Sequence, residues 1–236
     1  MANLKICTLL SALFYSSTVP AQAVSPDAIQ PFTATYTTQW FPLTIKGKAI
    51  RSLKKDNSGR SHLFFQGTML TYTLQENAVL NWQGCTPRPQ TFNRRKKQFF
   101  KYQLVSNIQY DWKNKHAIAK YKDSSFSFPL DNAIFDSLTY QLALRCDLKQ
   151  GRKTFEYTVA EKRKLKHYRF QKIGEETIDT PLGQLKTVKL RRSSDSSEKQ
   201  TILWFAEELD YTLVKLEQIR TDNNHFVITI SELRKD

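Results

Sequence analysis

The residues that could carry acid–base, nucleophilic or metal chemistry are few and scattered in this sequence. Adjacent carboxylates occur at Glu175–Glu176 and Glu207–Glu208, but neighbours on a strand point to opposite faces, so neither pair forms an acid–base couple by itself. The histidines lack H-x-H or H-E-x-x-H spacing and lie at His62, His116, His167 and His225. The sequence therefore predicts no metal, no cofactor and no identifiable catalytic residue, although a catalytic set assembled from distant residues stays open.

The two cysteines beyond the N-terminal segment are Cys85 and Cys146, which lie 61 positions apart. In an oxidising compartment such a pair can form a disulfide, and closing so long a loop would add a few kcal/mol of stability. Two unpaired thiols are the alternative, because spacing alone does not show that the two Cα atoms approach each other.

The first 23 residues have the three parts of a cleavable signal peptide. Lys5 supplies the positive charge, and an apolar run of about a dozen residues is too short to cross ~30 Å of hydrocarbon. Ala21-Gln22-Ala23 then gives the small residues of an A-x-A cleavage site. We expect cleavage after Ala23 and a periplasmic or secreted mature chain, residues 24–236, with no transmembrane segment.

The chain is strongly basic, with 36 Lys and Arg against 22 Asp and Glu and a formal net charge of +14. A cytosolic protein of this charge would suggest nucleic acid, but export argues against it, and we predict no nucleic-acid partner. We expect the positive charge to attract the chain to anionic envelope surfaces, and the alternative is that the excess charge only keeps the surface solvated. Two clusters could dock on such a surface or could simply be solvated hairpin ends: Arg94, Arg95, Lys96 and Lys97, and Lys162, Arg163 and Lys164.

Most of the chain reads as strands, because apolar and polar residues alternate with a period of two. The alternation from Phe32 to Trp40, which Pro42 ends, is one example. The segment Asn81–Gln90 carries two prolines and a glycine and is predicted to be a loop. One segment changes to helical spacing, so we predict a helix from Asn132 to Leu148 that Asp131 caps.

About a dozen strands are too many for a flat open sheet. The sequence therefore predicts a mainly β fold, with a large, strongly curved or barrel-like antiparallel sheet and one packed α-helix. A β-sandwich with a helical insertion is the alternative. No linker divides residues 24–236, so we expect a single β-rich domain.

Several ordered blocks of sequence carry a family resemblance. They are Pro31–Tyr36, Asp136–Tyr140, Asp179–Gly183 (DTPLG), Leu203–Ala206 (LWFA) and Leu213–Glu217. With them the chain resembles the exported bacterial family called domain of unknown function 3108, and the resemblance covers most of the mature chain. It implies export and a β-rich fold but no activity. The C-terminal strands are also similar, by fold analogy only, to the half-barrels of lipoprotein carriers.

Three functions fit these features. The first is a non-enzymatic envelope protein that binds a lipid or other amphiphile in the hollow of the sheet. The second is a protein-interaction module that uses the basic loops, and the third is a hydrolase of an envelope polymer. Aromatic residues that could line the cavity of the first, or simply pack a core, are Trp40, Phe64, Tyr72, Tyr140, Phe170 and Trp204.

Overall fold

The computed structural model describes residues 29–98, 101–131, 133–193, 199–220 and 224–235. The predicted signal peptide and its cleavage site lie outside the described residues. Within them the chain forms fifteen strands and one α-helix. These are β1 Phe32–Phe41, β2 Ile45–Lys55, β3 Ser61–Met69, β4 Tyr72–Gln83, β5 Thr86–Gln98, β6 Lys101–Asp111, β7 His116–Tyr121, β8 Ser124–Pro129, β9 Ile134–Phe135, α1 Thr139–Lys149, β10 Phe155–Glu161, β11 Lys164–Thr180, β12 Gly183–Ser193, β13 Lys199–Ala206, β14 Thr212–Arg220 and β15 His225–Lys235.

All fifteen strands belong to one sheet, whose linear order runs from β8 through β1 and β15 to β9. Neighbouring strands are antiparallel, except that β9 runs parallel to β10. The sheet curves so far that its edge strand β9 comes into contact with β5. The prediction of a large curved antiparallel sheet with one helix is thus confirmed, and the two-sheet sandwich is wrong.

The alternation along each strand separates a buried concave face from an exposed convex face. In β1, Phe32, Ala34, Tyr36 and Thr38 are buried, whereas Thr37 is exposed. The concave face wraps around α1. Leu142 of the helix, with Leu138 just before it, joins one buried cluster, and Leu144 joins a second. Because the helix is surrounded, both of its sides are apolar, as expected for a core helix.

The helix begins later than the sequence predicted. Ile134 and Phe135 extend as the short strand β9 beside Val159 of β10, and Asp136, rather than Asp131, accepts the first helical N–H groups. The predicted start at Asn132 was therefore wrong, because pairing with β10 competes with helix formation over these residues. Of the described helices, none is long and apolar enough to cross a membrane.

The predicted loop over Asn81–Gln90 was also wrong, since β4 continues to Gln83 and β5 begins at Thr86. Pro87 and Pro89 pair with β4, but the pairing of β5 with β6 begins only at Thr91. The two prolines thus have a neighbouring strand on one side only, and their missing N–H groups break no ladder.

Candidate functional site

An apolar cavity of about 700 Å³ opens on the concave face of the sheet. Strands β14, β15 and β1 to β4 form its wall at the end where the turns at residues 42–44 and 70–71 lie. We call this end of the sheet the mouth end. The side chains that give the wall its apolar character are Trp40, Ile45, Ala49, Phe65, Met69, Leu70, Tyr72, Leu74, Phe226 and Ile228.

Cross-strand register brings these residues together from distant parts of the chain. Trp40 pairs with Phe226, and Thr38 pairs with Ile228, although they are nearly two hundred residues apart in sequence. In the centre of the wall, Ala49 pairs with Gly67. Because two small residues meet there, the side chains around them leave a hollow. A Cβ added to Gly67 would contact the Phe65 ring at 3.4 Å, so a larger side chain would extend into the cavity.

Gly47, in contrast, does not line the cavity. A Cβ at this position would lie 2.3 Å from the backbone oxygen of Thr68 and 2.6 Å from Oγ1 of Thr38. Close approach of neighbouring strands therefore requires this glycine, and it is unrelated to the volume of the cavity.

The helix α1 packs against the concave face of the sheet and is attached to it at both of its ends. At its C-terminal end a disulfide joins Cys146 to Cys85, with a Cα–Cα distance of 5.7 Å. Arg145, the residue before Cys146, donates hydrogen bonds to the carboxylate and backbone oxygens of Asp210. Near its N-terminal end Gln141 accepts a hydrogen bond from the buried Arg51. These attachments fix the helix to the sheet, beside the strands that form the cavity wall.

A buried polar cluster lies between the helix start and strands β4 and β5. The Glu76 carboxylate accepts hydrogen bonds from Arg94, at 2.5 Å, and from the Ser137 hydroxyl, at 3.0 Å. Arg94 in turn donates to the Ser137 hydroxyl. Each charged group has an opposite charge or a hydroxyl as its partner, so the cluster satisfies its own hydrogen bonds and fixes the helix start.

The fully buried Asp136 carboxylate holds the first turn of the helix. It accepts hydrogen bonds from the N–H groups of Leu138 and Thr139 and from the Thr139 hydroxyl. Burial raises the pKa of Asp136 to about 6, although the hydrogen bonds from Thr139 and Leu138 favour the ionised form and oppose this rise. Among the described residues no cation is in hydrogen-bond contact with this carboxylate, and desolvation dominates its pKa.

The six aromatic residues proposed as cavity lining do not gather in one place. Trp40 and Tyr72 line the cavity. Tyr140 and Phe170 stack at 5.9 Å in the buried cluster beside the helix. Trp204 is buried between the ammonium groups of Lys189 and Lys215, and Phe64 lies on the strand face opposite to the wall residue Phe65. These four side chains pack the core or the outer face because their strand parity or position directs them away from the cavity.

Several apolar residues of the cavity wall were not predicted from the sequence. Phe65, Met69, Phe226 and Ile228 are the main ones. Strand parity would have placed Phe65 and Met69 on one face, but only the pairing of β1 with β15 identifies the C-terminal wall.

The histidines and the adjacent carboxylates do not form a catalytic set with one another. His62 bonds to Asp56, His167 contacts Thr158, and Glu176 bonds to Lys189. Across the part of the chain that the structure describes, no three His, Cys, Asp or Glu side chains converge as a metal site requires.

Most of the predicted basic docking residues are at the mouth end of the sheet. Lys162, Arg163 and Lys164 are exposed at the turn from β10 to β11, and Arg95 and Lys96 are exposed near the end of β5. Lys97 is half-buried, with its ammonium 5.3 Å from the Tyr102 ring. Arg94 differs from the others, because its partners Glu76 and Ser137 hold it on the inner face.

The fold and the cavity define a class of protein in which one long antiparallel sheet wraps a single helix and leaves an apolar hollow beside it. The chain belongs to the family described as Protein of unknown function (DUF3108), whose model matches residues 32–231. The family resemblance inferred from the sequence is thereby confirmed. No curated protein matches the sequence significantly.

The solved structures that match this chain have little sequence in common with it. The β-barrel-like protein of DUF1849 from Brucella abortus is 9% identical and has a TM-score of 0.58, over 89% of this chain and 99% of that one. At this identity the likeness shows the fold alone. MucB in complex with MucA(peri) is 9% identical, with a TM-score of 0.36 over 89% of this chain and 51% of that one. A putative lipoprotein from Parabacteroides distasonis is 13% identical, with a TM-score of 0.33 over 87% and 96%.

Proposed function

We propose that this protein binds the apolar part of a lipid or another amphiphile in the cavity and does so without catalysis. The observation that carries the proposal is the apolar wall around about 700 Å³ of space, whose lining includes Trp40, Phe65, Met69, Phe226 and Ile228. Cavities of 300–1,000 Å³ with mostly hydrophobic walls are typical of sites that enclose small ligands.

The arrangement of the cavity suits an amphiphile better than a wholly apolar molecule. Its inner part is apolar, whereas its rim carries polar groups, among them Gln218, Arg220 and Asn224. An acyl chain could therefore enter the hollow while a polar headgroup stays at the rim. Each methylene removed from water would contribute roughly 0.8 kcal/mol, so a chain of moderate length can offset the cost of association.

Export to the periplasm or beyond is part of the proposal, and two observations support it. The N-terminal 23 residues have the composition of a signal peptide, and the Cys85–Cys146 disulfide is of a kind that persists in oxidising compartments. N-terminal sequencing of the mature protein tests this part, because the sequence should begin at Val24. A mature chain that retains the first 23 residues would contradict it.

Native mass spectrometry of the protein purified from its own compartment tests the binding. We expect a stoichiometric amphiphile that solvent extraction releases and identifies. The variant Gly67→Leu should emerge empty, because its side chain would occupy the hollow between Ala49 and Phe65. Thr37→Leu places a leucine on the exposed face of β1 instead and serves as the control. If Gly67→Leu carried the same amphiphile as the control, the cavity would not be its site.

A second candidate function is contact with an anionic envelope surface, and the exposed cations at the mouth end favour it. Lys96 and the turn residues Lys162–Lys164 all lie at that end. Such attraction weakens as salt screens the charges. Binding to anionic vesicles should therefore fall steeply with ionic strength, and a salt-independent affinity would contradict this candidate.

A further inference from the structure

Two leucines at the tips of neighbouring turns expose most of their side-chain surface to solvent. Leu43 is 66% exposed and Leu70 is 74% exposed, the highest values among the large hydrophobic residues that the structure describes. The two turns lie side by side, because the pairing of β2 with β3 continues up to Gly47 and Met69. Large apolar side chains exposed on neighbouring turns are a feature of interaction surfaces.

The backbone of Leu70 strengthens this reading. Its φ angle is 51°, in the left-handed region that disfavours a bulky side chain and suits glycine or asparagine. The leucine thus neither buries its side chain in the core nor fits its backbone conformation well. Contacts within the chain therefore do not explain a leucine at position 70, whereas an apolar contact with another molecule does.

More apolar and basic side chains surround these tips. Six of the ten exposed large hydrophobic residues are at the mouth end, namely Leu43, Leu70, Tyr72, Tyr102, Leu104 and Ile219. Lys46 follows the first tip, and Lys96 and Lys101 lie at the facing ends of β5 and β6. Among nearby carboxylates, Glu161 is paired with Lys166 and Glu217 with His225. Apolar tips within a field of positive charge match a membrane interface that carries anionic lipids.

We infer that the mouth end docks on an anionic phospholipid bilayer, with Leu43 and Leu70 inserted at the boundary between headgroups and acyl chains. In this orientation the lysines face the lipid phosphates. The cavity then opens toward the bilayer, because Leu70 and Tyr72 belong both to this surface and to the cavity wall. The inference extends the surface contact proposed above and does not require the cavity to be filled.

Vesicle flotation of the full mature protein tests the docking. Wild type should float with vesicles of phosphatidylglycerol and phosphatidylethanolamine at low salt and far less with phosphatidylcholine alone. The double variant Leu43→Ser/Leu70→Ser should bind at least tenfold more weakly, since burying one leucine is worth about a factor of ten in an equilibrium constant. Leu182→Ser, at a turn of the opposite end, removes a leucine that is 38% exposed and should change nothing.

Two further comparisons distinguish leucine insertion from charge attraction and from loss of the fold as the cause of weaker binding. Lys96→Gln/Lys97→Gln should weaken binding at low salt, whereas Lys54→Gln/Lys55→Gln at the opposite end should not. Leu70→Asn should bind more weakly and yet melt at a higher temperature, because asparagine accepts the left-handed backbone. Unchanged binding of the double leucine variant would overturn the insertion and leave a charge contact alone. No binding to any vesicle would overturn both, while ligand titration would still decide the cavity proposal separately.

Discussion

Replacing Asp136 with asparagine should make the protein more stable at neutral pH and remove a step in its pH dependence. The carboxylate is fully buried, and burial raises its pKa from 3.8 to about 6. An asparagine oxygen can still accept the N–H groups of Leu138 and Thr139, so the helix start keeps its cap. The variant loses at most the bond to the Thr139 hydroxyl, which is worth about 1 kcal/mol.

The magnitude follows from the shift in the pKa. A rise of about two units corresponds to about 3 kcal/mol, because one unit is about 1.4 kcal/mol. The folded chain holds this proton more tightly than the unfolded chain does, so the folded state binds more protons between pH 4 and pH 6. The contribution of Asp136 is therefore present below pH 4 and is lost as the pH rises through 6. Against wild type, Asp136→Asn should be about 1 kcal/mol less stable at pH 3 and about 2 kcal/mol more stable at pH 7.

Urea unfolding of both proteins from pH 3 to pH 8 measures this difference. The control is Asp123→Asn, in the exposed turn between β7 and β8, which should follow the wild-type curve at every pH. If the difference in unfolding free energy between Asp136→Asn and wild type stayed constant across this range, the carboxylate would not titrate near pH 6. Such a result would contradict the rise in the pKa of Asp136 on burial.

Three other perturbations have outcomes that the structure determines. Cys85→Ser/Cys146→Ser opens a loop of 61 residues and should lower the unfolding free energy by about 4 kcal/mol in urea; an unchanged midpoint would contradict this. Glu76→Gln leaves Arg94, whose side chain is 17% exposed, without its carboxylate and should cost about 3 kcal/mol in the same assay, whereas breaking the exposed pair Lys172–Glu175 should leave the midpoint unchanged. Across fatty acids of increasing length, each methylene should tighten the dissociation constant about fourfold until the cavity is full, and an affinity independent of length would argue against an apolar site.

The sequence predicted the fold well because strand alternation is a local property. The first strand, predicted from Phe32 to Trp40, ends within one residue of the observed β1. The number of strands alone required a curved sheet, and the single helix was recognised from its spacing. The errors in detail came from neighbours that are remote in sequence, since β10 draws Ile134 into a strand and β4 pairs with the proline segment before Thr91.

The candidate site was predicted less well, because its wall depends on long-range pairing. Trp40 and Tyr72 were anticipated, but Phe226 joins them only through the register of β1 with β15. The aromatic character of a residue was a weak criterion for cavity lining, since Tyr140 and Phe170 pack in the buried cluster beside the helix instead. The exposure of Leu43 and Leu70 was not predicted, because the exposure of a turn residue depends on how its hairpin packs in the fold.

The central claim is that the apolar cavity binds an amphiphile. The most direct test is titration of the delipidated mature protein with a fluorescent fatty acid, followed by displacement with unlabelled fatty acids. We expect saturable binding of one molecule per chain, with an affinity that Thr37→Leu retains and that falls at least tenfold in Gly67→Leu. Absence of saturable binding by wild type, or equal binding by Gly67→Leu, would contradict it.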